Sequence, residues 1–260
     1  MQNIPIILHI PHSSIIIPRH IRESLLLSDE ELADEILRLT DYYTEELFAS
    51  MTAEIASPVI FPVNRIVTDP ERFTDKNNEP MEKHGMGAVY TLTLNGKPLR
   101  NGLTEHERIE LLDTYYYPHH NILYNNVKKH LEITGRCLII DCHSFPSLPF
   151  PFEANQELER PDICIGTDDF HTPGWLAMET ARLFRNYGYT VAFNHPFAGC
   201  LVPLPYYRIN SHVHSLMIEI NRKCYMKEKT GLKHSTFRIL QEQLAEILQN
   251  MKNSTAFPLF

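Results

Sequence analysis

Short apolar runs that stop abruptly at polar residues recur along the chain. They are 5–10 before Pro11-His12-Ser13-Ser14, 57–63 before Asn64-Arg65, 137–140 before Asp141-Cys142-His143-Ser144, 163–165 before Gly166, 190–193 before Asn194-His195 and 215–220 before Asn221-Arg222. Runs this short and this rich in Ile and Val suit strands buried on both faces, as in a sheet covered by helices. Helical patterns lie between them. Over 29–51, Leu32, Ile36, Leu39, Tyr43 and Leu47 recur at helical spacing behind Ser28 and Glu31, a capping-box pair, so the pattern predicts one amphipathic helix. Segment 104–131 reads as one or two helices interrupted at Pro118; 174–187 and 235–251 are two more, the last with a stripe of Leu240, Leu244, Ile247 and Leu248. Segment 72–103, with four Asn and four Gly, is the expected long loop. Strands alternating with helices predict an α/β sandwich with a mixed, mostly parallel sheet, in which ligands collect where strands end. No linker, repeat or composition break appears, and 1–260 reads as a single domain.

Composition narrows the partners. An apolar share of 43% is that of a globular chain with a real core. The net charge of −8, without a basic stripe, argues against nucleic acid. Five scattered cysteines with no CxxC pair predict free thiols in a reducing compartment. The start MQNIPIILHIPHSS has no basic n-region, and His9 and Pro11 break its apolar run, so neither a signal peptide nor a membrane span is expected. These features predict a cytoplasmic protein. Its fourteen histidines matter only where strands deliver them.

Two histidines stand at such places. His12 follows the first run and His143 a middle one, each beside a serine (Ser13, Ser144) placed to fix its ring. A hydrolytic zinc takes three protein ligands from His, Asp and Glu and keeps one position open for water. Asp41, expected mid-helix beside Leu39 and Tyr43 on the side facing the sheet, is the candidate third ligand. Taken singly, each residue has a plainer reading: a hydrogen-bonded turn histidine, or an acid pairing with Arg38 or capping a kink. Glu219 interrupts the apolar run SLMIEINR and is either a general base aimed into a site or a solvent-facing residue of an edge strand beside Asn221. Arg65, Arg72 and Arg222 near strand ends suit an anionic substrate or surface ion pairs. Ser13 and Ser144 lack a GxSxG elbow, which ranks a serine hydrolase below a metal enzyme.

The motifs HIPHSS, LTDYYTEELF, NRIVTDPERF, PHHNIL, LIIDCHS, ICIG, NHPFAGC and IEINRKCYM, in this order over about 9–226, resemble the N-formylglutamate amidohydrolase family. The resemblance implies a three-layer α/β/α sandwich of zinc-carboxypeptidase-like type and hydrolysis of an N-formyl or N-acyl amide on an acidic amino acid, typically N-formylglutamate. It implies Zn2+ on His12, Asp41 and His143, catalysis by Glu219 with Arg65, and substrate contacts from Arg72, Asn194, His120, Tyr207 and Arg222, with Ser13 and Ser144 beside them. Two segments depart from the family pattern. The usual DxNR stands here as Asp69-Pro70-Glu71-Arg72, and the usual Gly-Gly as Gly199-Cys200. A glutamate at 71 would repel a substrate carboxylate. Two rivals accompany the first reading: a deacylase or carboxypeptidase-like hydrolase of another N-acyl amino acid or peptide amide, and a non-catalytic binding protein on the same fold. Oligomeric state is left open.

Overall fold

The computed structural model describes residues 4–153 and 156–253. Strands β1 (Ile6–Ile10), β2 (Ala56–Ile60), β3 (Cys137–Phe145), β4 (Ile163–Gly166), β5 (Val191–Phe193) and β6 (Val213–Asn221) form one sheet in the order β2-β1-β3-β6-β4-β5. The β2, β1, β3 and β6 strands run parallel; β4 is antiparallel to β6 and parallel to β5. The helices are α1 (Arg19–Arg22), α2 (Asp29–Leu39), α3 (Thr44–Ala49), α4 (Glu105–Leu111), α5 (Tyr117–Thr134), α6 (Gly174–Asn186) and α7 (Phe237–Lys252). This is the mixed, mostly parallel α/β sheet that the apolar runs predict.

Strand alternation sorts the side chains onto two faces. Leu138, Ile140 and Cys142 of β3, with Leu216, Ile218 and Ile220 of β6, pack on α3, α6 and α7. Ile7, Cys137, Ile139 and Val213 point the other way, onto Leu123 and Val127 of α5. By the same alternation His9, Asp141, His143 and Glu219 continue the α5-side face beyond its apolar part. The core therefore ends, on that face, where the strands reach their C-terminal ends and the polar residues begin.

Three expectations are corrected. The pattern over 29–51 predicts one helix, but α2 ends at Leu39, Thr40 is extended, Tyr43 takes a left-handed φ of 68°, and α3 starts at Thr44. Asp41 thus lies in a break, not mid-helix; its N–H donates to the His12 carbonyl at 3.0 Å and the Tyr43 hydroxyl to the Gly231 carbonyl at 2.6 Å. These tertiary bonds stabilise a tyrosine conformation that is rare outside glycine and asparagine. Strand β3 does not stop at Ile140 but pairs with β6 as far as Phe145 opposite Asn221. Nor does Pro118 interrupt its helix: α4 passes through a π turn (Leu112–Tyr116) into α5, and Pro118 sits in the first turn of α5. The wider turn tolerates the missing proline N–H. The Ser28–Glu31 capping box is present, all five cysteines are free, and among the described residues no helix is long and apolar enough to cross a membrane.

Candidate active site

His12, at the exit of β1, Asp41, in the α2–α3 break, and His143, in β3, are all buried, and one ligand atom from each lies within 4.8 Å of the others. Asp41 Oδ2 is 3.1 Å from His143 Nδ1 and 3.7 Å from His12 Nδ1. Those separations bracket the distance of about 3.3 Å between ligand atoms of a tetrahedral site with bonds of about 2.0–2.1 Å. The far nitrogen of each ring faces a carboxylate. His12 Nε2 donates to Asp69 Oδ1 at 2.8 Å, and His143 Nε2 lies 3.2 Å from Asp141 Oδ1 and 3.1 Å from Glu71 Oε2. A carboxylate on one ring nitrogen fixes the proton there and leaves the other for a metal. His12 Nδ1 is buried with no hydrogen-bond partner. Two imidazole nitrogens and a carboxylate oxygen converging in this way fit a divalent metal of the zinc type.

Behind this group stands a second layer. Asp69 Oδ2 accepts from Arg65 Nη2 at 2.7 Å and from the Tyr90 hydroxyl at 2.9 Å, and Arg72 Nε lies 3.7 Å away. Asp141 accepts from His9 Nδ1 at 2.7 Å and, on Oδ2, from the Leu201 N–H at 2.9 Å, while His9 Nε2 meets His119 Nε2 at 2.9 Å. Glu219 sits opposite His143 in the β3–β6 register, 7% exposed, with Oε2 unpartnered.

Burial opposes ionisation of Asp41, yet the nearby His12 ring, the hydrogen bond from His143 and the Arg222 charge hold its pKa well below the usual carboxylate range. Burial also opposes a charged His143 ring, but Glu71 and Asp141 outweigh it and raise its pKa well above the ordinary value. Glu219 goes the other way: burial, with Asp41 and Glu71 adding to it against His143, lifts it to about 8. The site carries five carboxylates (Asp41, Asp69, Glu71, Asp141, Glu219) against three guanidinium groups (Arg65, Arg72, Arg222). Carboxylates thus outnumber guanidinium groups by two.

The remaining residues singled out by sequence divide. Arg65 grips Asp69; Arg72 keeps a buried, unpartnered Nε at the same carboxylate. Arg222 is buried and committed: Nη2 to Asp41 Oδ1 at 3.0 Å, Nε to the Ser144 hydroxyl at 3.2 Å, Nη1 to the Arg38 carbonyl at 2.7 Å. It is Arg222, and not Arg38, that pairs with Asp41. Ser144 donates its N–H to Asp41 Oδ2 at 3.2 Å, and the Ser13 hydroxyl is buried without a partner. His120 donates to the Pro70 carbonyl at 2.8 Å beside the site. Asn194 is engaged with Thr167, and Tyr207 with Asp168 and the His171 ring. Sequence reasoning missed His9, Asp69, Glu71 as a histidine partner, Tyr90 and His119. His9 carried a usable signal, being a polar residue inside an apolar run, as Glu219 is.

His119 gives this layer a pH signature. Burial, with His9, His120 and His12 adding to it, depresses its pKa to about 2. The folded state therefore binds fewer protons than the unfolded chain below pH ~6.5, and stability attributable to this ring falls as pH falls, by about 1.4 kcal/mol per unit. His119→Phe should lower the pH slope of unfolding free energy by that amount between pH ~6.5 and ~5. Equal slopes for wild type and variant in denaturant titrations would refute it.

Comparison with known proteins gives a consistent picture. The family described as N-formylglutamate amidohydrolase matches residues 4–226. The fold is shared with N-formylglutamate amidohydrolase from Ralstonia eutropha JMP134, at 21% identity over 97% of this chain and 94% of that one, TM-score 0.83. A gene product of Agrobacterium tumefaciens is similar at 19% identity over 96% of this chain and 92% of that one, TM-score 0.67. No curated protein matches the chain.

Proposed function

Because the chain belongs to the N-formylglutamate amidohydrolase family, we propose that it is a zinc-dependent hydrolase of the formyl or acyl amide of an N-acyl acidic amino acid, N-formyl-L-glutamate first. His12, Asp41 and His143 hold the ion. The observation that carries the reading is the convergence of three donor atoms, the buried and unpartnered His12 Nδ1 among them, where carboxylates outnumber guanidinium groups; a divalent cation held there would answer that charge and favour the ionised Glu219. A zinc held by these residues would supply a Lewis acid and would lower the pKa of a bound water from about 15.7 to about 7.

The chain's own residues do the rest. Glu219 accepts the water proton at its unpartnered Oε2 and passes it to the leaving nitrogen. Arg72 offers its buried Nε to a substrate carboxylate. Arg65 spends Nε and Nη2 on Asp69, which leaves Nη1 for the developing oxyanion. Asp69 and Asp141 hold both rings in the tautomer that presents Nδ1.

The purified protein should contain about one zinc per chain, as sites of three protein ligands do. It should lose hydrolysis of N-formylglutamate to a chelator, regain it with zinc, and prefer this substrate over N-acetyl and non-acidic N-formyl amino acids. Metal-free protein that hydrolyses at full rate would overturn the metal assignment. A preference for another acyl amino acid would replace the substrate and leave the metal assignment standing.

A further inference from the structure

We propose that Glu71 is a positioning residue for His143, one arm of a two-armed brace, Asp69-Pro70-Glu71, whose other arm holds His12. The inference rests on the metal reading above and adds a role for one residue to it. Asp69 Oδ1 accepts hydrogen bonds from His12 Nε2 at 2.8 Å and from the Glu71 N–H at 3.0 Å. Two residues on, Glu71 Oε2 reaches His143 Nε2 at 3.1 Å. A single short segment thus sets the far nitrogen of both histidines, so that both present Nδ1 to the same point beside Asp41.

The brace is fastened along its length. Asp69 N–H donates to the Ala88 carbonyl at 2.8 Å, His120 Nε2 to the Pro70 carbonyl at 2.8 Å, and the Tyr116 hydroxyl to the Arg72 carbonyl at 2.9 Å. Pro70 also fixes its own φ. A fastened segment can impose ring orientation, where a free surface glutamate would follow the ring.

Two acids share the His143 Nε2, and they are not equivalent. Asp141 is also the partner of His9 and of the Leu201 N–H, so both of its oxygens are committed to the fold. Glu71 keeps Oε1 unpartnered, 3.6 Å from His9 Nδ1, and its side chain is 18% exposed. Removing the Glu71 carboxylate therefore takes away a ring constraint and one negative charge, which the Glu71→Gln comparison separates. Partners of this kind behind a metal-bound histidine change metal affinity about 10- to 100-fold.

The test measures zinc affinity by competition with a chromogenic chelator, together with the Tm of chelator-treated protein and the visible spectrum of the Co2+-loaded form. For Glu71→Ala, zinc Kd should rise about 10- to 100-fold, with the metal-free Tm not lowered and the Co2+ spectrum retaining the wild-type band pattern. Glu71→Gln, which keeps an acceptor on Nε2 without the charge, should recover part of the affinity. Wild type without zinc binding would defeat the metal reading itself. Wild type that binds zinc, with Glu71→Ala binding equally tightly, would overturn this inference alone. So would a metal-free Tm that falls with the affinity, which marks a structural role, or two ions per wild-type chain with the second lost in Glu71→Ala, which marks Glu71 as a ligand.

Discussion

Glu219→Gln should abolish hydrolysis while leaving zinc bound, and in metal-free protein it should raise stability. The first effect follows from the general-base role proposed for Oε2, which lies unpartnered in the site; losing a positioned general base costs about 10²–10⁴ in rate. The second follows from linkage. The folded pKa is raised, to about 8, from an ordinary 4.5. As pH rises above the unfolded value, the unfolded chain releases the proton and the folded one keeps it. Stability is therefore lost progressively between about pH 4.5 and 8, by about 3 kcal/mol at pH 7. Glutamine has the shape and none of this cost. Metal-free Glu219→Gln should melt about 6 °C or more above metal-free wild type at pH 7, the gap closing toward pH ~5. A residue placed for packing would show the opposite, a variant less stable and partly active. Calorimetry at two pH values with single-turnover kinetics separates the two.

How far the sequence foretold this site depends on the kind of contact. Strand positions were legible because Ile139, Ile140 and their counterparts form continuous apolar runs, and His12, His143 and Glu219 stood out as polar residues at or inside such runs. The extension of β3 to Phe145 was not legible, since Asp141, His143 and Ser144 look like a turn until their partners are known; here they are buried in a strand and satisfied across it. The break at Asp41 was hidden for a different reason. The apolar spacing Leu39, Tyr43, Leu47 continues through it unchanged, and no glycine or proline marks it. What stops the helix is a set of bonds to His12 and Gly231, far away in sequence. Asp69, Glu71 and Tyr90 lie in a loop without periodicity, so nothing local tells which oxygen meets which ring. The sequence shows at Glu71 only an acid in place of the usual Asn; that it lies against His143 is visible only in the fold.

Asp41→Ala should lose the metal and much of the fold together, whereas His143→Ala should lose the metal and retain more of the fold. Asp41 joins three elements at once: Oδ1 holds the buried Arg222, Oδ2 holds His143 and the Ser144 N–H, and its own N–H fixes the chain to His12. Arg222 is 4% exposed and its other bonds go to Ser144 and the Arg38 carbonyl, so deleting Asp41 leaves a buried guanidinium without its acid. Breaking such a buried pair from one side costs about 3–5 kcal/mol, or a fall in Tm of about 6–20 °C in a chain of this size. Removing His143 instead keeps the Asp41–Arg222 pair and the Ser144 N–H bond to Asp41. Both variants should bind zinc markedly more weakly than wild type, since each would lack one of the three ligands proposed above. The ranking is the test: if Asp41→Ala binds zinc like wild type once refolded, Asp41 is an anchor for Arg222 and the third ligand must be sought elsewhere. If His143→Ala unfolds the chain as deeply as Asp41→Ala, the Asp41–Arg222 pair does not carry the local stability assigned to it.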